Sequence, residues 1–592
     1  MIILGVHDGH NASAAILVDG KLIAAIAEER LTGDKNEYGF PRKAIAGCLD
    51  LAGIGMADVD RVALGTKSLP PKYFMTRRNV TFTVDDYWRE QREYWYPKLY
   101  EGKSPNYLEL FNHHVDPDWF PYDRSLIAHE DDTDGMLAAR IALIKSELNV
   151  TDEQISVHDH HTCHAYYGYI ACPRRDRPLL VYTTDGGGDA TNGTVWIGRP
   201  GQPLEELARS ANCNIGRIYR YATLLLGMRP ADHEFKVMGL APYGSEKHSE
   251  TAYQVYAETL KVDGLKFTYG TEPKDHFFHF KDRLEGQRFD NIARALQTRT
   301  EEILVEWLTN GMNQTGIGEI VMSGGVAQNI KANKLIWEMD GVENLFVPPG
   351  PGDESISIGA AWYEAVLQAT EAGQLLDKIK PLSHAYIGPY FSDDDIDATV
   401  AKLPAGLSAR RAGPDDIGAL LAEGEVVARF GADRMEFGPR ALGNRSIIAD
   451  PRRHEVVQFI NSAVKMRDFW MPFAPSIKTE RVNDYLINPK NQDGCYMTLG
   501  FDTTPLGEDH LAAALHPFDK SARPQFVSVD TNPEYHAVIS AFERLTGVGA
   551  VLNTSFNIHG EPIVGRPKDA IDTFGRCGLR YLALGGWLIG KV

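Results

Sequence analysis

The sequence predicts an α/β chain whose first part is built twice on one plan, and three observations support this. A strand that ends in Asp-Gly and is followed by a second strand occurs at Asp8-Gly9 and again at Asp185-Gly186. A third apolar strand runs into Ser323-Gly324-Gly325 and then a helix, which is typical of a loop that approaches a phosphate or a nucleoside. This duplication is what an actin-like ATPase fold shows, with two related halves that enclose a nucleotide. The alternative stays open that Asp-Gly is simply a common turn dipeptide.

The first half is predicted element by element from apolar runs that are separated by turn residues. Asp19-Gly20 is a hairpin signal between the second and the third strand. The expected elements are, in order, strands over residues 2–6, 13–18 and 21–27, a helix over about 42–52 and a strand over 61–65.

Residues 66–150 are expected to be an insertion, because aromatic side chains are concentrated there. Runs such as Tyr94-Trp95-Tyr96 favour a packing layer or a lid over a small-molecule site. The adjacent pair His113-His114 is interpreted as a decoy or part of a pocket wall, and not as a metal-binding pair. Residues 133–148 are predicted to form an amphipathic helix.

The second half is predicted to follow the plan of the first. Strands are expected at 178–184 and 193–198, with a glycine-rich polar turn at 185–192 between them. A strand at 344–347 is followed by Gly350-Pro-Gly-Asp-Glu354 and a helix of small residues, so that Asp353 lies at a helix N-terminus facing the same region.

A second domain is predicted to follow a polar, proline-marked linker at 378–382. The first domain is therefore assigned to residues 1–375 and the second to residues 385–592. The second domain begins with a helix over about 393–402, capped by Ser-Asp-Asp-Asp, and continues with a strand at 425–430.

Length, charge and cysteine usage limit the class of protein. The 592 residues are too many for one hydrophobic core, and a net charge of -19 excludes general nucleic-acid binding because an acidic surface repels phosphodiesters. Six dispersed cysteines and the lack of a signal-peptide pattern predict a cytoplasmic protein. No apolar run reaches about 18 residues, so no membrane span is expected. A homodimer is expected only because it is the commonest oligomer.

The spacing of His160 and His164 predicts a metal site, because residues four apart on a helix project from one face. Asp185, at the glycine turn after a strand, can complete that site, and Asp353 is a candidate fourth ligand. Two imidazoles with carboxylate oxygens suit a divalent metal such as iron, zinc, manganese or nickel. The alternative stays open that the two histidines are an ordinary surface or core pair.

The most basic stretch of the chain predicts an anion site in the second domain. Between Arg434 and Arg467 there are seven basic residues against three acidic ones, interleaved with Gly, Pro and Phe. Rigidly placed guanidinium groups bind phosphate or carboxylate in a bidentate way, whereas the alternative is a solvated charged surface. The residues expected to converge on one anion are Arg440, Lys465, Arg523 and Asn553.

Eight motifs follow one another along nearly the whole chain. They are Asp8-Gly-His-Asn-Ala-Ser13, Glu28-Glu-Arg30, His160-His-Thr-Cys-His-Ala165, Asp185-Gly-Gly-Gly188, Glu234 to Gly244, Ser323 to Asn329, Phe437 to Asp450, and Val551 to Pro562. With these motifs the chain resembles the O-carbamoyltransferase family that includes the nodulation protein NodU, the tobramycin-pathway enzyme TobZ and the cephamycin-pathway enzyme.

The resemblance implies a first domain like the tRNA threonylcarbamoyl-transfer proteins, on the actin-like fold, followed by a YrdC-like α/β domain. It implies that the second domain makes carbamoyl-adenylate from carbamoyl phosphate and ATP. The carbamoyl group would then move to a hydroxyl of a small-molecule acceptor, such as a sugar, an antibiotic or another secondary metabolite. The implied cofactors are iron(II) and ATP with Mg²⁺.

The resemblance also implies roles for individual residues. Asp8 would be the general base for the acceptor hydroxyl, and His10 would orient or stabilise it. The implied metal ligands are His160, His164, Asp185 and Asp353, and the implied nucleotide-binding residues are Lys236, Gly324, Gly325 and Asn329. Carbamoyl phosphate or the ATP phosphates would be held by Arg440, Lys465, Arg523 and Asn553.

Two positions depart from the family pattern. Met471 precedes Pro-Phe-Ala-Pro where the family often has Arg, so either a phosphate contact is lost or Arg467 substitutes for it. Cys163 stands where Ala is common between the two metal histidines. It is expected to be a structural neighbour and not a thiolate ligand, because the histidine pair already fixes the face of the helix.

Two other functions stay open at this point. A tRNA threonylcarbamoyl-type transferase would share the actin-like metal site, but the net charge of -19 and the fused second domain argue against it. The second open function is that of a non-catalytic nucleotide-binding protein of the same fold. The intact set of candidate ligands and catalytic residues argues against this function.

Overall fold

The computed structural model describes residues 1–465 and 468–591, which form two compact units. The first unit contains Met1–Glu28 and Asn36–Leu382. The second contains the short segment Glu29–Lys35 together with the chain from Ser383 onward. Arg467, considered above as a substitute for a missing family arginine, lies outside the described residues.

The first sheet has five strands in the order β3-β2-β1-β4-β5. β2 is antiparallel to both β1 and β3, whereas β4 is parallel to both β1 and β5. The strands are β1 (Ile2–His7), β2 (Ser13–Val18), β3 (Lys21–Ala27), β4 (Arg61–Gly65) and β5 (Ile155–His158).

The second sheet repeats this arrangement strand for strand. β6 (Leu179–Gly188), β7 (Thr191–Gly198) and β8 (Glu205–Ser210) are antiparallel neighbours. After a small hairpin of β9 (Leu260–Asp263) and β10 (Lys266–Tyr269), two parallel strands complete the order β12-β11-β6-β7-β8; they are β11 (Glu319–Ser323) and β12 (Asn344–Phe346). The predicted α/β class and the actin-like duplication are therefore confirmed.

Helices cover both sheets of the first unit. Ile356–Glu371 packs against β1, β2 and β4 and against His160–Ala171, and the two helices meet where a Cβ on Gly359 would lie 2.0 Å from the carbonyl oxygen of Cys163. Among the described residues, no helix is long and apolar enough to cross a membrane. The other helices of eight or more residues in this unit are Arg42–Ala52, Thr133–Leu148, Ile215–Leu225, Glu246–Thr259, His276–Leu284, Phe289–Thr315 and Ile330–Glu338.

The aromatic residues of the insertion form a hydrophobic cluster of their own. Phe82, Tyr87, Tyr94, Tyr107 and Phe111 are nearly fully buried in it. The cluster also takes in side chains from the helices Ile215–Leu225 and His276–Leu284. The insertion is thus a packing layer, as the concentration of aromatic residues predicts.

One element differs from its sequence prediction. Residues 185–192 were expected to be a turn, but β6 continues to Gly188 and the reversal falls at Asp189 and Ala190, which both have positive φ. The pairing of β6 with β7 is interrupted between Thr184 and Gly188. Glycines tolerate such an irregular stretch, so the strand is extended without a regular ladder.

The second unit contains one mixed sheet of eight strands in the order β13-β22-β21-β14-β15-β20-β16-β19. Its helices of eight or more residues are Asp393–Val400, Pro414–Ala422, Pro533–Thr546 and Pro567–Arg576. Its strands are β13 (Leu407–Arg411), β14 (Val427–Phe430), β15 (Arg445–Ala449), β16 (Ala474–Lys478), the short pair β17 (Leu486–Ile487) and β18 (Asp502–Thr503), β19 (Gln525–Val527), β20 (Ala550–Ser555), β21 (Tyr581–Leu584) and β22 (Trp587–Lys591).

Candidate metal centre

Two buried imidazoles stand one turn apart on the helix His160–Ala171. The helix begins where the Asp159 carboxylate accepts a hydrogen bond from the backbone N–H of Thr162, an ordinary N-cap. The rings of His160 and His164 project from the same face, with centroids 4.8 Å apart. Cys163, between them, is buried and takes no part in the cluster.

The two carboxylates come from the second half of the unit. Asp185 lies in the irregular part of β6, and its Oδ2 accepts a hydrogen bond of 3.1 Å from the backbone N–H of Gly325. Asp353 begins the 3₁₀ turn Asp353–Ser355, which follows β12 and leads into the next helix. Asp185 is therefore placed by β6, and Asp353 by the turn that follows β12.

The four side chains can offer ligand atoms that all lie within 4.8 Å of one another. Nε2 of His164 is 3.1 Å from Asp185 Oδ2 and 3.5 Å from Asp353 Oδ1. Nε2 of His160 is 3.8 Å and 3.6 Å from the same two oxygens. Ligand atoms around a tetrahedral ion with bonds of about 2.0–2.1 Å lie about 3.3 Å apart, so the donors fit a divalent transition metal.

Charge and burial at the cluster support the same interpretation. Burial alone would lower the pKa of His164, but hydrogen bonds and the charges of Asp185 and Asp353 outweigh it and raise the pKa to about 9. The buried Nε2 of His160 has no hydrogen-bond partner among the described residues. The His164 side chain is 0% exposed, whereas Asp185 and Asp353 are 16% and 18% exposed, so the carboxylate side of the cluster reaches solvent.

Residues around the cluster fix the orientation of His160. The Thr66 hydroxyl lies 3.0 Å from His160 Nδ1, which leaves Nε2 directed toward the carboxylates. Asp189 accepts hydrogen bonds from the backbone N–H groups of His160, Lys67 and Ser68, and so ties the start of the helix to the loop after β4. Such supporting contacts normally hold the tautomer and ring plane of a metal-binding histidine.

Gly188 provides the space that the His160 ring occupies. A Cβ on Gly188 would lie 2.3 Å from His160 Cγ, so we expect Gly188→Ala to displace the ring and to lower metal affinity at least about 10-fold. Metal affinity is measured by isothermal titration calorimetry. Gly186→Ala is the matched control, because its Cβ would meet nothing within 4 Å. Equal affinities of the two variants would contradict this account of His160.

The Asp8 carboxylate is engaged in a buried ion pair, which sequence reasoning missed. It accepts hydrogen bonds from Arg140 Nη2 to Oδ1 at 2.7 Å and from the Tyr122 hydroxyl to Oδ2 at 2.9 Å. Asp8 and Arg140 are 1% and 0% exposed. Arg140 and Tyr122 thus hold the Asp8 carboxylate in a fixed orientation, and the general-base role expected for Asp8 stays a prediction.

His10 lies at the edge of the aromatic insertion. Its Nδ1 is 3.0 Å from the Asn79 amide nitrogen, and the His7 ring donates from Nε2 to the His10 carbonyl oxygen at 3.0 Å. Because the Asn79 amide donates, the His10 ring accepts at Nδ1 and carries its proton on Nε2. That tautomer can donate a hydrogen bond to an oxygen of a bound molecule.

The four residues expected to bind a nucleotide differ in their surroundings: two are glycines of one loop, and two are polar side chains on or next to helices. Gly324 has φ 92° and a Cβ on it would lie 2.3 Å from the carbonyl oxygen of Thr184, so only glycine fits there. Gly325 bonds Asp185 and so joins this loop to the metal cluster. Asn329, in contrast, caps the following helix and pairs with Gln297, which occupies its side-chain amide. Lys236 is buried in the short helix Glu234–Leu240.

The anion-site candidates lie in the second unit. Lys465 Nζ donates to the Ser555 carbonyl oxygen and hydroxyl and to the Asn557 side chain. Asn553, two residues before Ser555 on β20, therefore faces the same side of the sheet and donates to the carbonyl oxygen of Ala441 at 3.1 Å. The buried Oδ1 of Asn553 has no partner among the described residues. Arg440 and Arg523 are partly exposed.

Comparison with known proteins decides the family. The family model for the carbamoyltransferase N-terminus matches residues 2–362, and the model for the carbamoyltransferase C-terminus matches residues 418–591. The chain belongs to the carbamoyltransferase family. The resemblance to O-carbamoyltransferases that its motifs carry is thereby confirmed, and so is the prediction that it is an enzyme.

Three relatives illustrate how far the similarity extends. The nodulation protein NolNO of Sinorhizobium fredii is 30% identical to this carbamoyltransferase over 593 residues, which cover 98% of this chain and 79% of that protein. Protein MJ1058 of Methanocaldococcus jannaschii is 32% identical over 479 residues, covering 76% of each chain. Nodulation protein U of Sinorhizobium fredii is 32% identical over 264 residues, covering 44% of each chain.

Proposed function

We propose that this enzyme is an ATP-dependent O-carbamoyltransferase that works through carbamoyl-adenylate. The observation that carries the proposal is the convergence of His160, His164, Asp185 and Asp353 in the unit that matches the N-terminal carbamoyltransferase model. In the first step, water releases carbamate and inorganic phosphate from carbamoyl phosphate in the second unit, and the carbamate oxygen attacks the α-phosphorus of ATP to give carbamoyl-adenylate and pyrophosphate. In the second step, an acceptor hydroxyl attacks the carbamoyl carbon in the first unit and AMP leaves.

The four convergent residues are proposed to hold a divalent metal, with iron(II) as the family expectation. When bound there, such an ion supplies Lewis-acid polarisation of the adenylate phosphate and stabilises the charge of the leaving group. Asp185 is fixed by Gly325 and His160 by Thr66, so the ligand set is organised before any substrate binds. Gly324 and Gly325 are proposed to let the backbone approach the nucleotide.

The acceptor side of the site is assigned to His10 and the insertion. We propose that His10 donates from Nε2 to an oxygen of the acceptor, and that Asn79 holds the ring in that tautomer. The Asp8–Arg140 pair keeps the end of β1 in place beneath it. Aromatic and polar side chains around His10 suit a small hydroxylated molecule such as a sugar or another secondary metabolite.

The second unit is proposed to bind carbamoyl phosphate and ATP with Mg²⁺. Lys465 carries a positive charge at the end of β20, and Asn553 presents an unpartnered amide oxygen on the same face of that strand. A lysine and an amide oxygen on the same side of a sheet can bind a phosphate and orient a carbamoyl group. Arg440 and Arg523 are proposed to supply further charge.

The test is pyrophosphate release from ATP with and without carbamoyl phosphate. We expect release to depend on carbamoyl phosphate, to survive in the His160→Ala/His164→Ala variant, and to fall at least about 100-fold in Lys465→Ala, where a charged hydrogen-bond donor is lost. Lys402→Ala, at an exposed position of the same unit, is the control and should keep full activity.

Two results would contradict the proposal. Release that does not respond to carbamoyl phosphate would argue against the adenylate-forming step. Equal activity of the Lys465→Ala and Lys402→Ala variants would remove the phosphate site from the end of β20 and leave the first unit without a supply of activated carbamoyl group.

A further inference from the structure

A second group of metal-binding side chains lies within the aromatic insertion. Asp86 is in the first turn of the short helix Val84–Arg89, and His113 and His114 are in the 3₁₀ turn Asn112–His114. The three residues can offer ligand atoms that all lie within 4.8 Å of one another. None of them belongs to the candidate metal centre described above, and the proposed reaction uses none of them.

The carboxylate of Asp86 lies between the two imidazoles. Oδ1 is 3.5 Å from His113 Nε2, and Oδ2 is 3.3 Å from His114 Nε2. These separations are close to the roughly 3.3 Å that divides neighbouring ligands of a tetrahedral ion with bonds of about 2.0–2.1 Å. With all three ligand atoms within 4.8 Å of one another, the group is compact enough to share one transition-metal ion and to leave a further position open.

Hydrogen bonding around the group leaves a place for a cation. Nε2 of His114 makes no hydrogen bond of regular geometry within the described part of the chain, although it lies 3.3 Å from Asp86 Oδ2. Asp86 is held rigidly, because its Oδ2 accepts from the backbone N–H and the hydroxyl of Thr83 in a capping box. A cation bound by the ring nitrogen and the carboxylate would satisfy both groups better than their irregular contact does.

The two imidazoles are held in place by the aromatic cluster. The His114 ring lies 4.8 Å from the Phe82 ring, and the His113 and His114 rings are 4.1 Å apart. His113 is 49% exposed, whereas His114 and Asp86 are 12% and 14% exposed, so an ion can enter from the His113 side. The site thus combines two fixed ligands with an accessible third.

We propose that Asp86, His113 and His114 bind a divalent transition metal such as Zn²⁺. The ion would join the turn that contains Asp86 to the turn that contains the two histidines, and would so stabilise the aromatic cluster. In that cluster the Tyr87 hydroxyl donates a hydrogen bond to the side-chain oxygen of Asn79, whose amide nitrogen contacts His10. This proposal departs from the interpretation of His113-His114 as a decoy or part of a pocket wall, because the third candidate ligand comes from a different turn. Two imidazoles and one carboxylate suit zinc, cobalt, nickel or copper.

The experiment is Zn²⁺ titration of chelator-treated full-length protein in the His160→Ala/His164→Ala background, which removes the ligands of the first centre. We expect one equivalent of Zn²⁺ to bind, and His113→Ala/His114→Ala added to that background to weaken binding at least 100-fold. Asp86→Asn, which keeps an oxygen for the capping box, should weaken it at least 10-fold. His248→Ala, at an exposed helical position, is the control.

A second readout guards against a folding defect. Zn²⁺ should raise the thermal unfolding midpoint of the background protein and of its His248→Ala derivative, but not of the His113→Ala/His114→Ala derivative. Circular dichroism of the metal-free proteins should be the same in all of them. No Zn²⁺ binding in the background protein, or binding that survives loss of both histidines, would overturn the proposal.

Discussion

Replacing His164 by Ala should remove the metal from the first unit and lower carbamoyl transfer at least about 100-fold, since even contacts that merely support a ligand contribute 10–100-fold. His164 is fully buried and lies 3.1 Å from Asp185 and 3.5 Å from Asp353. Without the imidazole, the site keeps two carboxylates and one histidine, which is a weaker and more open ligand set. Metal content by mass spectrometry and carbamoyl transfer to an acceptor are the two measurements.

Cys163→Ala is the matched control for His164→Ala. Cys163 is adjacent to the ligand and equally buried, but its thiol is not part of the cluster. The Cys163→Ala protein should retain its metal and most of its activity. Loss of metal from Cys163→Ala, or retention of it in His164→Ala, would mean that the ligand set has been assigned wrongly.

Replacing Arg140 by Met should destabilise the first unit by about 3–5 kcal/mol, because breaking a buried ion pair leaves an uncompensated buried charge. Arg140 is 0% exposed and donates to both oxygens of Asp8 and to the backbone carbonyl oxygens of Gly65 and Thr66. The change thus removes the hydrogen-bond donors of one carboxylate and of the carbonyl oxygens of Gly65, Thr66 and Lys67. Urea-induced unfolding followed by tryptophan fluorescence measures the loss.

The double variant Asp8→Asn/Arg140→Met separates charge from packing. Removing the Asp8 charge as well should recover at least about 1 kcal/mol, because the remaining buried group is then neutral. If the double variant were as unstable as Arg140→Met alone, the loss would come from cavity formation and the carbonyl contacts, and the buried-charge argument would fail.

Local patterns were sufficient to predict most of the fold. The strand at 13–18, the strand at 21–27 and the helix Arg42–Ala52 lie where apolar runs and turn residues place them. The four candidate ligands could also be named, because His160 and His164 are one helical turn apart and each aspartate follows a strand. These features depend on residues that are close together in the sequence, and such residues determine hydrophobic periodicity and turn formation directly.

Contacts between distant residues could not be predicted in the same way. Arg140 pairs with a carboxylate 132 positions earlier in the chain, and nothing around either residue in the sequence marks that pairing. Thr66, which orients His160, lies 94 positions before it in the chain, and a lone threonine after a strand carries no signal. Asp86 and the two histidines of the insertion form their cluster only because aromatic packing brings two turns together.

The short segment Glu29–Lys35 has a consequence for how the protein is made. It belongs to the second unit, so the chain enters that unit, returns to the first at Asn36 and leaves again at Ser383. Arg30 donates to the carbonyl oxygen of Gly438 at 2.9 Å, and a Cβ on Gly565 would lie 1.9 Å from the Arg30 carbonyl oxygen. During synthesis this segment emerges long before the loops at Gly438 and Gly565 that it contacts, so it must stay without its native contacts until nearly the whole chain has been made. No single proteolytic cut can separate two intact units.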